Sequence, residues 1–130
     1  MEGAGRVNLD SSGLGGYDVT WASRAEDPHG RTSPEELIAA AHSGCFSMAF
    51  SKGLADAGFT PASVETTAKV HLDKGDAGFG VTRIDLETVG NVPGIDEGTF
   101  QKIAEGAKEN CPISRLLSPG AEITLKATLA

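Results

Sequence analysis

The chain has 130 residues, enough for one domain and few for two, and we treat residues 1–130 as a single domain. Eighteen acidic residues against eleven basic ones give a formal net charge of −7, which disfavours binding to nucleic acid or to an anionic membrane. Two cysteines, Cys45 and Cys111, allow at most one disulfide and exclude a small secreted fold held by many disulfides.

The sequence predicts a cytoplasmic protein. Residues 1–5 lack the basic and then apolar pattern of an export signal. The longest uncharged stretch, residues 37–51, is shorter than the ~20 apolar residues that a membrane helix needs. A redox-active disulfide is more usual in the cytoplasm than a structural one.

Five segments alternate apolar and polar residues, as half-buried strands do. The first two are predicted to form a hairpin, and so are the next two, which a loop over residues 73–78 joins. The predicted strands are Arg6–Asp10, Tyr17–Arg24, Val64–Leu72, Phe79–Val89 and Ile123–Leu129.

Two helices complete the pattern. Ser33 and Glu36 have the spacing of a capping box, with Pro34 at the first helical position. The helix that follows is apolar on every side from residue 37 to 50, so we expect it to be buried all round. The second predicted helix spans Asp96–Asn110, and Pro112 closes it. The order ββαββαβ indicates an α+β fold, in which a largely antiparallel sheet packs on one long buried helix.

The two cysteines have ordinary interpretations. A lone cysteine in an apolar helix, such as Cys45, is most often a small buried hydrophobic residue. Cys111 lies at a helix end before Pro112, where a small residue packs well. From the residues alone, an inert pair and a reactive pair both stay open.

No cofactor or metal is expected. No glycine-rich loop joins a strand to a helix in a phosphate-binding form, and no nucleotide or flavin motif is recognisable. His42 precedes Cys45 by three residues, but His29 and His71 lie in a loop and a strand, so no set of four metal ligands is apparent. We expect His42 to be a packed helix residue.

Three segments resemble the OsmC/Ohr hydroperoxide reductases. Residues 32–49, Thr-Ser-Pro-Glu-Glu-Leu-Ile-Ala-Ala-Ala-His-Ser-Gly-Cys-Phe-Ser-Met-Ala, resemble the signature of that family. Residues 110–114, Asn-Cys-Pro-Ile-Ser, resemble its second cysteine motif, and residues 92–96, Val-Pro-Gly-Ile-Asp, are similar to a stretch of the OsmC branch. The chain starts within what resembles the usual first strand region, so an additional first strand seen in relatives is expected to be missing.

The resemblance implies an OsmC-like fold, an intertwined homodimer and a thiol peroxidase that acts in oxidative-stress defence. Cys45 matches the peroxidatic cysteine and Cys111 the resolving one, so that a Cys45 sulfenic acid condenses with Cys111 to a disulfide. The expected substrates are organic hydroperoxides and, less efficiently, hydrogen peroxide. An external dithiol, of lipoyl type or a small thiol, would supply the electrons.

A charged pair is implied as well. Thiolate is the reactive form of cysteine, and apolar surroundings raise the pKa of a thiol unless a cation is near. Arg24 matches the active-site arginine of the family. Arg31, close to the start of the helix, is the alternative candidate for binding Glu35. Glu35 matches the glutamate that binds this arginine, whereas Glu36 has the capping box as a local role.

Helix geometry separates Glu35 from Cys45 of the same chain. Ten residues of helix correspond to a rise of about 15 Å and a rotation of about 280°. We therefore expect Glu35, together with Arg24, to reach Cys45 of a second chain. The small residues of the apolar helix would allow that chain to come close.

A competing hypothesis is a non-enzymatic dimer with inert cysteines that binds a small apolar ligand between its chains. Phe46, Met48 and Phe50 are candidates for lining an apolar pocket, although such a stripe is more often part of a core.

Overall fold

A computed structural model describes residues 2–130. It contains five strands, β1 to β5, and four helices, α1 to α4. In chain order these are β1 (Ala4–Leu9), β2 (Gly15–Thr20), α1 (Trp21–Ala25), α2 (Pro34–Asp56), β3 (Ser63–Gly75), β4 (Gly78–Asn91), α3 (Glu97–Asn110), α4 (Pro112–Leu117) and β5 (Glu122–Leu129).

The strands form two sheets, and the α+β class is confirmed. Strands β1 and β2 pair antiparallel as a separate hairpin. The other sheet has the order β3-β4-β5, in which β3 and β4 are antiparallel and β4 and β5 are parallel. The larger sheet is therefore mixed, because the connection through α3 and α4 is long enough to bring β5 back in the direction of β4.

The predicted second strand ends four residues early. The Thr20 hydroxyl accepts a hydrogen bond from the Ser23 N–H, and the Ser23 hydroxyl accepts one from the Thr20 N–H. This capping box starts α1 and overrides the apolar alternation that continues to Trp21. Arg24 consequently lies in the last turn of a short helix and not in a strand.

Helix α2 packs one side against the larger sheet. That side is buried and carries Glu35, His42, Phe46, Phe50 and Leu54. Phe50 makes an edge contact with Phe100 of α3, with 5.2 Å between the ring centroids. Within one chain the opposite side of α2 stays exposed, so the expectation of burial all round is wrong for the single chain.

Helix α3 comes very close to α2 at Gly53. A Cβ at this position would lie 2.9 Å from Cγ2 of Ile103, so the glycine permits the approach. Pro112 ends α3, as predicted, but it also begins α4. The junction of α3 and α4 is thereby held beside the middle of α2. Among residues 2–130, no helix is long and apolar enough to cross a membrane.

Candidate active site

The two thiols lie side by side. Cys45 is in the middle of α2, and Cys111 is the residue between α3 and α4. Their sulfur atoms are 2.9 Å apart, and both cysteines are free thiols. Cys111 is fully buried and Cys45 is half-buried. A disulfide, with a bond of about 2.05 Å, is thus within reach after a small movement.

The surroundings of the two sulfurs differ. Burial, followed by the hydrogen bond to Cys111, raises the pKa of the Cys45 thiol, and the N–H of Ile113 only partly offsets this. Burial also acts to raise the pKa of Cys111. The hydrogen bond with Cys45 and the polar groups of Ser114 outweigh that effect and hold the pKa of Cys111 below its usual value. Cys45 therefore needs a cation that its immediate surroundings do not supply.

Arg24 and Glu35 form the predicted charged pair. The guanidinium donates from Nε and Nη2 to Oε1 of Glu35, at 2.9 and 2.8 Å. Glu35 is 7% exposed, and its Oε2 is buried with no hydrogen-bond partner among the described residues. Arg24 also lies over the ring of Trp21, with 5.8 Å from Cζ to the centroid.

The alternatives to this pair are resolved. Arg24, and not Arg31, binds Glu35. Glu36 has a local role, but a different one from that predicted: its Oε1 accepts from the Thr32 hydroxyl at 2.7 Å. The Ser33 hydroxyl accepts from the Glu36 N–H at 3.1 Å, so half of the capping box is present.

The charged pair and the thiol pair do not meet within one chain. Neither Arg24 nor Glu35 has a hydrogen bond or ion pair with Cys45 in the described part of the chain. Glu35 lies in the first turn of α2 and Cys45 lies ten residues later. The rise of about 15 Å over ten helical residues accounts for the separation.

An apolar groove runs between α2 and α3 and reaches Cys45. It has a volume of about 1080 Å³. Met48 in this groove is 75% exposed, whereas Phe46 and Phe50 belong to the core, so only Met48 of the three candidate pocket residues is available at the surface. Small residues form much of the α2 side: Ala40, Ala41, Gly44 and Ala49.

His42 is fully buried, as expected, but it is also part of a polar contact that the sequence analysis missed. Its Nε2 lies 2.7 Å from the hydroxyl oxygen of Ser114. Its Nδ1 is buried and has no partner among residues 2–130, and burial lowers the pKa of the imidazole. Ser114 follows Cys111 by three residues, in the helix that Pro112 begins. The pairing of Ser114 with His42, 72 residues away, has no local signal.

Two adjacent thiols, one buried and one on the floor of an apolar groove, define a thiol-based redox protein. The family model that describes OsmC-like proteins matches residues 27–126. The chain is 51% identical over 123 residues to the peroxiredoxin OsmC of Escherichia coli (strain K12), which covers 95% of this chain and 84% of that protein. The chain belongs to the OsmC family, and the resemblance seen in the sequence is confirmed.

More distant relatives have the same fold. The organic hydroperoxide resistance protein OhrB of Bacillus subtilis (strain 168) is 24% identical over 124 residues, covering 95% of this chain and 88% of that protein. The crystal structure of an organic hydroperoxide resistance protein from Elizabethkingia anophelis superimposes with a TM-score of 0.77 at 23% identity, over 100% of this chain and 96% of that one. At this identity the structural likeness shows the fold.

Proposed function

We propose that the protein is a thiol peroxidase that reduces organic hydroperoxides and, less efficiently, hydrogen peroxide. The observation that carries the proposal is the 2.9 Å approach of Cys45 and Cys111, which are 66 residues apart in sequence. The names of the relatives, a peroxiredoxin and organic hydroperoxide resistance proteins, support the same chemistry and a role in oxidative-stress defence.

The two sulfurs take different roles because their exposure differs. Cys45 lines the groove, so its thiolate attacks the outer peroxide oxygen, and the alcohol leaves. The resulting sulfenic acid faces the buried Cys111, which displaces water and forms the disulfide before further oxidation occurs. An external dithiol, of lipoyl type or a small thiol, then returns both cysteines to the reduced form. This cycle suits the reducing cytoplasm, the compartment that we propose.

Arg24 and Glu35 act on Cys45 of a second copy of the chain. In this arrangement Arg24 stabilises the Cys45 thiolate and polarises the peroxide, and Glu35 orients Arg24. Three observations support it: the distance along α2, the buried and unpartnered Oε2 of Glu35, and the exposed apolar groove beside Cys45. A groove lined by small residues on α2 suits close packing of an identical helix, and hence a homodimer.

Steady-state turnover tests this function. Purified protein is supplied with a lipoyl dithiol and with cumene hydroperoxide, a fatty-acid hydroperoxide or hydrogen peroxide. We expect turnover with all three and a higher kcat/KM for the two organic peroxides. Replacement of Cys45 by Ser abolishes turnover, and absence of turnover in the wild-type protein with every dithiol and peroxide contradicts the proposal.

A second candidate function, the binding of a small apolar ligand by a non-enzymatic dimer, is favoured by the size and apolar lining of the groove. The two functions separate on thiol chemistry, because a binding protein keeps both thiols after one equivalent of hydroperoxide.

A further inference from the structure

Two aromatic rings, Trp21 and Phe79, lie in contact beside Arg24. Trp21 and Arg24 are three residues apart in α1, a spacing that puts both side chains on one face of a helix. Cζ of Arg24 is 5.8 Å from the centroid of the Trp21 ring, within the range of a cation–π contact. The Trp21 ring makes an edge contact with Phe79, with 5.3 Å between the centroids and 77° between the planes. A continuous series of contacts therefore runs from the guanidinium to Phe79.

Phe79 belongs to a part of the β3-β4 hairpin that extends beyond the rest of the sheet. Strand β5 begins to pair with β4 at Arg83. Residues 72–82, which we call the hairpin arm, are therefore a two-stranded extension, and a shift in the register of β3 and β4 marks its start. A two-stranded ribbon has little stability of its own. The contact between Trp21 and Phe79 ties the hairpin arm to α1.

Trp21 is not part of the main hydrophobic core. It is the only tryptophan of the chain, it is half-buried, and it lies outside the core cluster that contains Phe46. Phe79 is 49% exposed. A large aromatic side chain gains most free energy from full burial, so core packing does not account for the place of either ring. What the rings contact instead is the guanidinium of Arg24 and, at Phe79, the ammonium of Lys74.

We infer that Trp21 and Phe79 are positioning residues for Arg24, which keep its guanidinium in the orientation that acts on a thiolate. The inference rests on the proposed function, in which Arg24 of one chain stabilises the Cys45 thiolate of another. The hydrogen bonds to Glu35 hold one edge of the guanidinium, through Nε and Nη2. The Trp21 ring limits rotation of the guanidinium plane about that edge, and Phe79 keeps the Trp21 ring in place.

The remaining N–H groups of Arg24 are the ones that can serve a reacting group. A guanidinium has five N–H donors, and Glu35 accepts from two of them. Nη1 of Arg24 has no hydrogen-bond partner or ion pair among residues 2–130. The direction in which Nη1 donates depends on the tilt of the guanidinium plane. Because a misplacement of about 1 Å can cost about 100-fold in rate, support of that plane matters for the reaction.

The pH dependence of Cys45 alkylation tests the inference, because it reports the pKa of the thiol and not the stability of the fold. In a Cys111→Ser background, each variant is treated with iodoacetamide over a range of pH. Trp21→Leu keeps an apolar side chain but removes the aromatic face. We expect it to raise the midpoint and to lower the alkylation rate below the midpoint by about two- to fivefold, the effect of one exposed cation–π contact. Trp21→Phe, which retains a ring, is expected to restore most of that loss.

Phe79→Leu tests the support of the Trp21 ring from an exposed position, so it does not depend on the stability of Trp21→Leu. We expect it to shift the midpoint in the same direction. Tyr17→Leu is the matched control, because Tyr17 is 48% exposed, against 49% for Phe79, and has no aromatic contact in the described part of the chain. An equal shift in Tyr17→Leu would contradict the inference. Thermal unfolding verifies that each variant is folded.

A double variant shows whether Trp21 acts through Arg24. If it does, adding Trp21→Leu to Arg24→Gln leaves the midpoint at the value of Arg24→Gln alone, since the group that Trp21 positions is absent. A further shift in the double variant, as large as that of Trp21→Leu alone, would overturn the inference.

Three failures are distinguishable. If Arg24→Gln raises the midpoint but Trp21→Leu and Phe79→Leu do not, the positioning role is wrong while the role of Arg24 stands. If Arg24→Gln itself leaves the midpoint unchanged, Arg24 does not act on Cys45, and the positioning role is wrong with it. The peroxidase function fails separately, if the wild-type protein keeps both thiols after one equivalent of cumene hydroperoxide.

Discussion

The guanidinium of Arg24 donates both of its hydrogen bonds to one oxygen of Glu35, at 2.9 and 2.8 Å, and the second oxygen of that carboxylate is buried without a partner among residues 2–130. The pair is therefore fixed in orientation but has no contact with Cys45 of its own chain. The two-chain site that we propose accounts for both facts.

Mixed dimers test the two-chain site. An Arg24→Ala chain and a Cys45→Ser chain carrying different affinity tags are co-expressed, and the heterodimer is isolated. Each variant alone is expected to be inactive, whereas the heterodimer regains about half of the wild-type activity per dimer, because one of two symmetry-related sites is intact. An inactive heterodimer would instead place Arg24 beside Cys45 of the same chain.

The groove between α2 and α3 is expected to be the dimer interface. Met48→Glu puts an unpaired charge on this apolar surface, so we expect sedimentation to show a monomer where the wild type is a dimer. Leu116→Glu is the matched control, because Leu116 lies outside the groove and is 72% exposed, against 75% for Met48. The interface is elsewhere if Met48→Glu sediments like Leu116→Glu.

The pH dependence of Cys45 reactivity tests whether a cation lies near the Cys45 sulfur. Burial raises the pKa of this thiol, and a nearby guanidinium lowers it. In a Cys111→Ser background, which removes the coupled titration of the two thiols, Arg24→Gln is expected to move the midpoint of iodoacetamide alkylation of Cys45 to higher pH. The control Arg31→Gln removes the other arginine that was considered as the partner of Glu35, and it is expected to leave the midpoint unchanged. Equal midpoints for Arg24→Gln and its parent would remove Arg24 from the site.

Acid stability is expected to depend on Asp85. Hydrogen bonds from Thr124 at 2.6 Å and His71 at 2.7 Å, helped by the charge of Arg83, lower the pKa of this carboxyl in the folded protein. A lowered folded pKa gives stability that is present at neutral pH and lost as the pH falls through that value. Asp85→Asn therefore loses less stability than wild type between pH 7 and about pH 3 in urea unfolding. The control Asp76→Asn, in the turn between β3 and β4, keeps the wild-type acid dependence. Parallel curves for wild type and Asp85→Asn would contradict this role.

Much of the fold is readable from local signals. The start of α2 at Pro34, the start of α3 within one residue of Asp96 and the alternation of β3, β4 and β5 all appear in the sequence. The direction of β5 does not appear in its own residues, because alternation is the same in parallel and antiparallel strands. Helix α1 was missed because a cap formed by Thr20 and Ser23 competes with a strand pattern that continues to Trp21.

The contacts within the site are harder to predict from local sequence signals than the helices and strands. The meeting of Cys45 with Cys111, and of His42 with Ser114, depends on how α3 packs on α2 and on where α4 begins. Only the family resemblance pointed to the cysteine pair, and nothing in the sequence pointed to the partner of His42. The pairing of Arg24 with Glu35 was foreseen from the same resemblance, and the structure selects it over Arg31.

The most direct test of the central claim is the mass of the reduced protein after one equivalent of cumene hydroperoxide. The account predicts the loss of two hydrogen masses per chain and a peptide that links Cys45 to Cys111, with a trappable sulfenic acid on Cys45 in the Cys111→Ser variant and no reaction in Cys45→Ser. Survival of both thiols, or oxidation of Cys45→Ser at the wild-type rate, would contradict it.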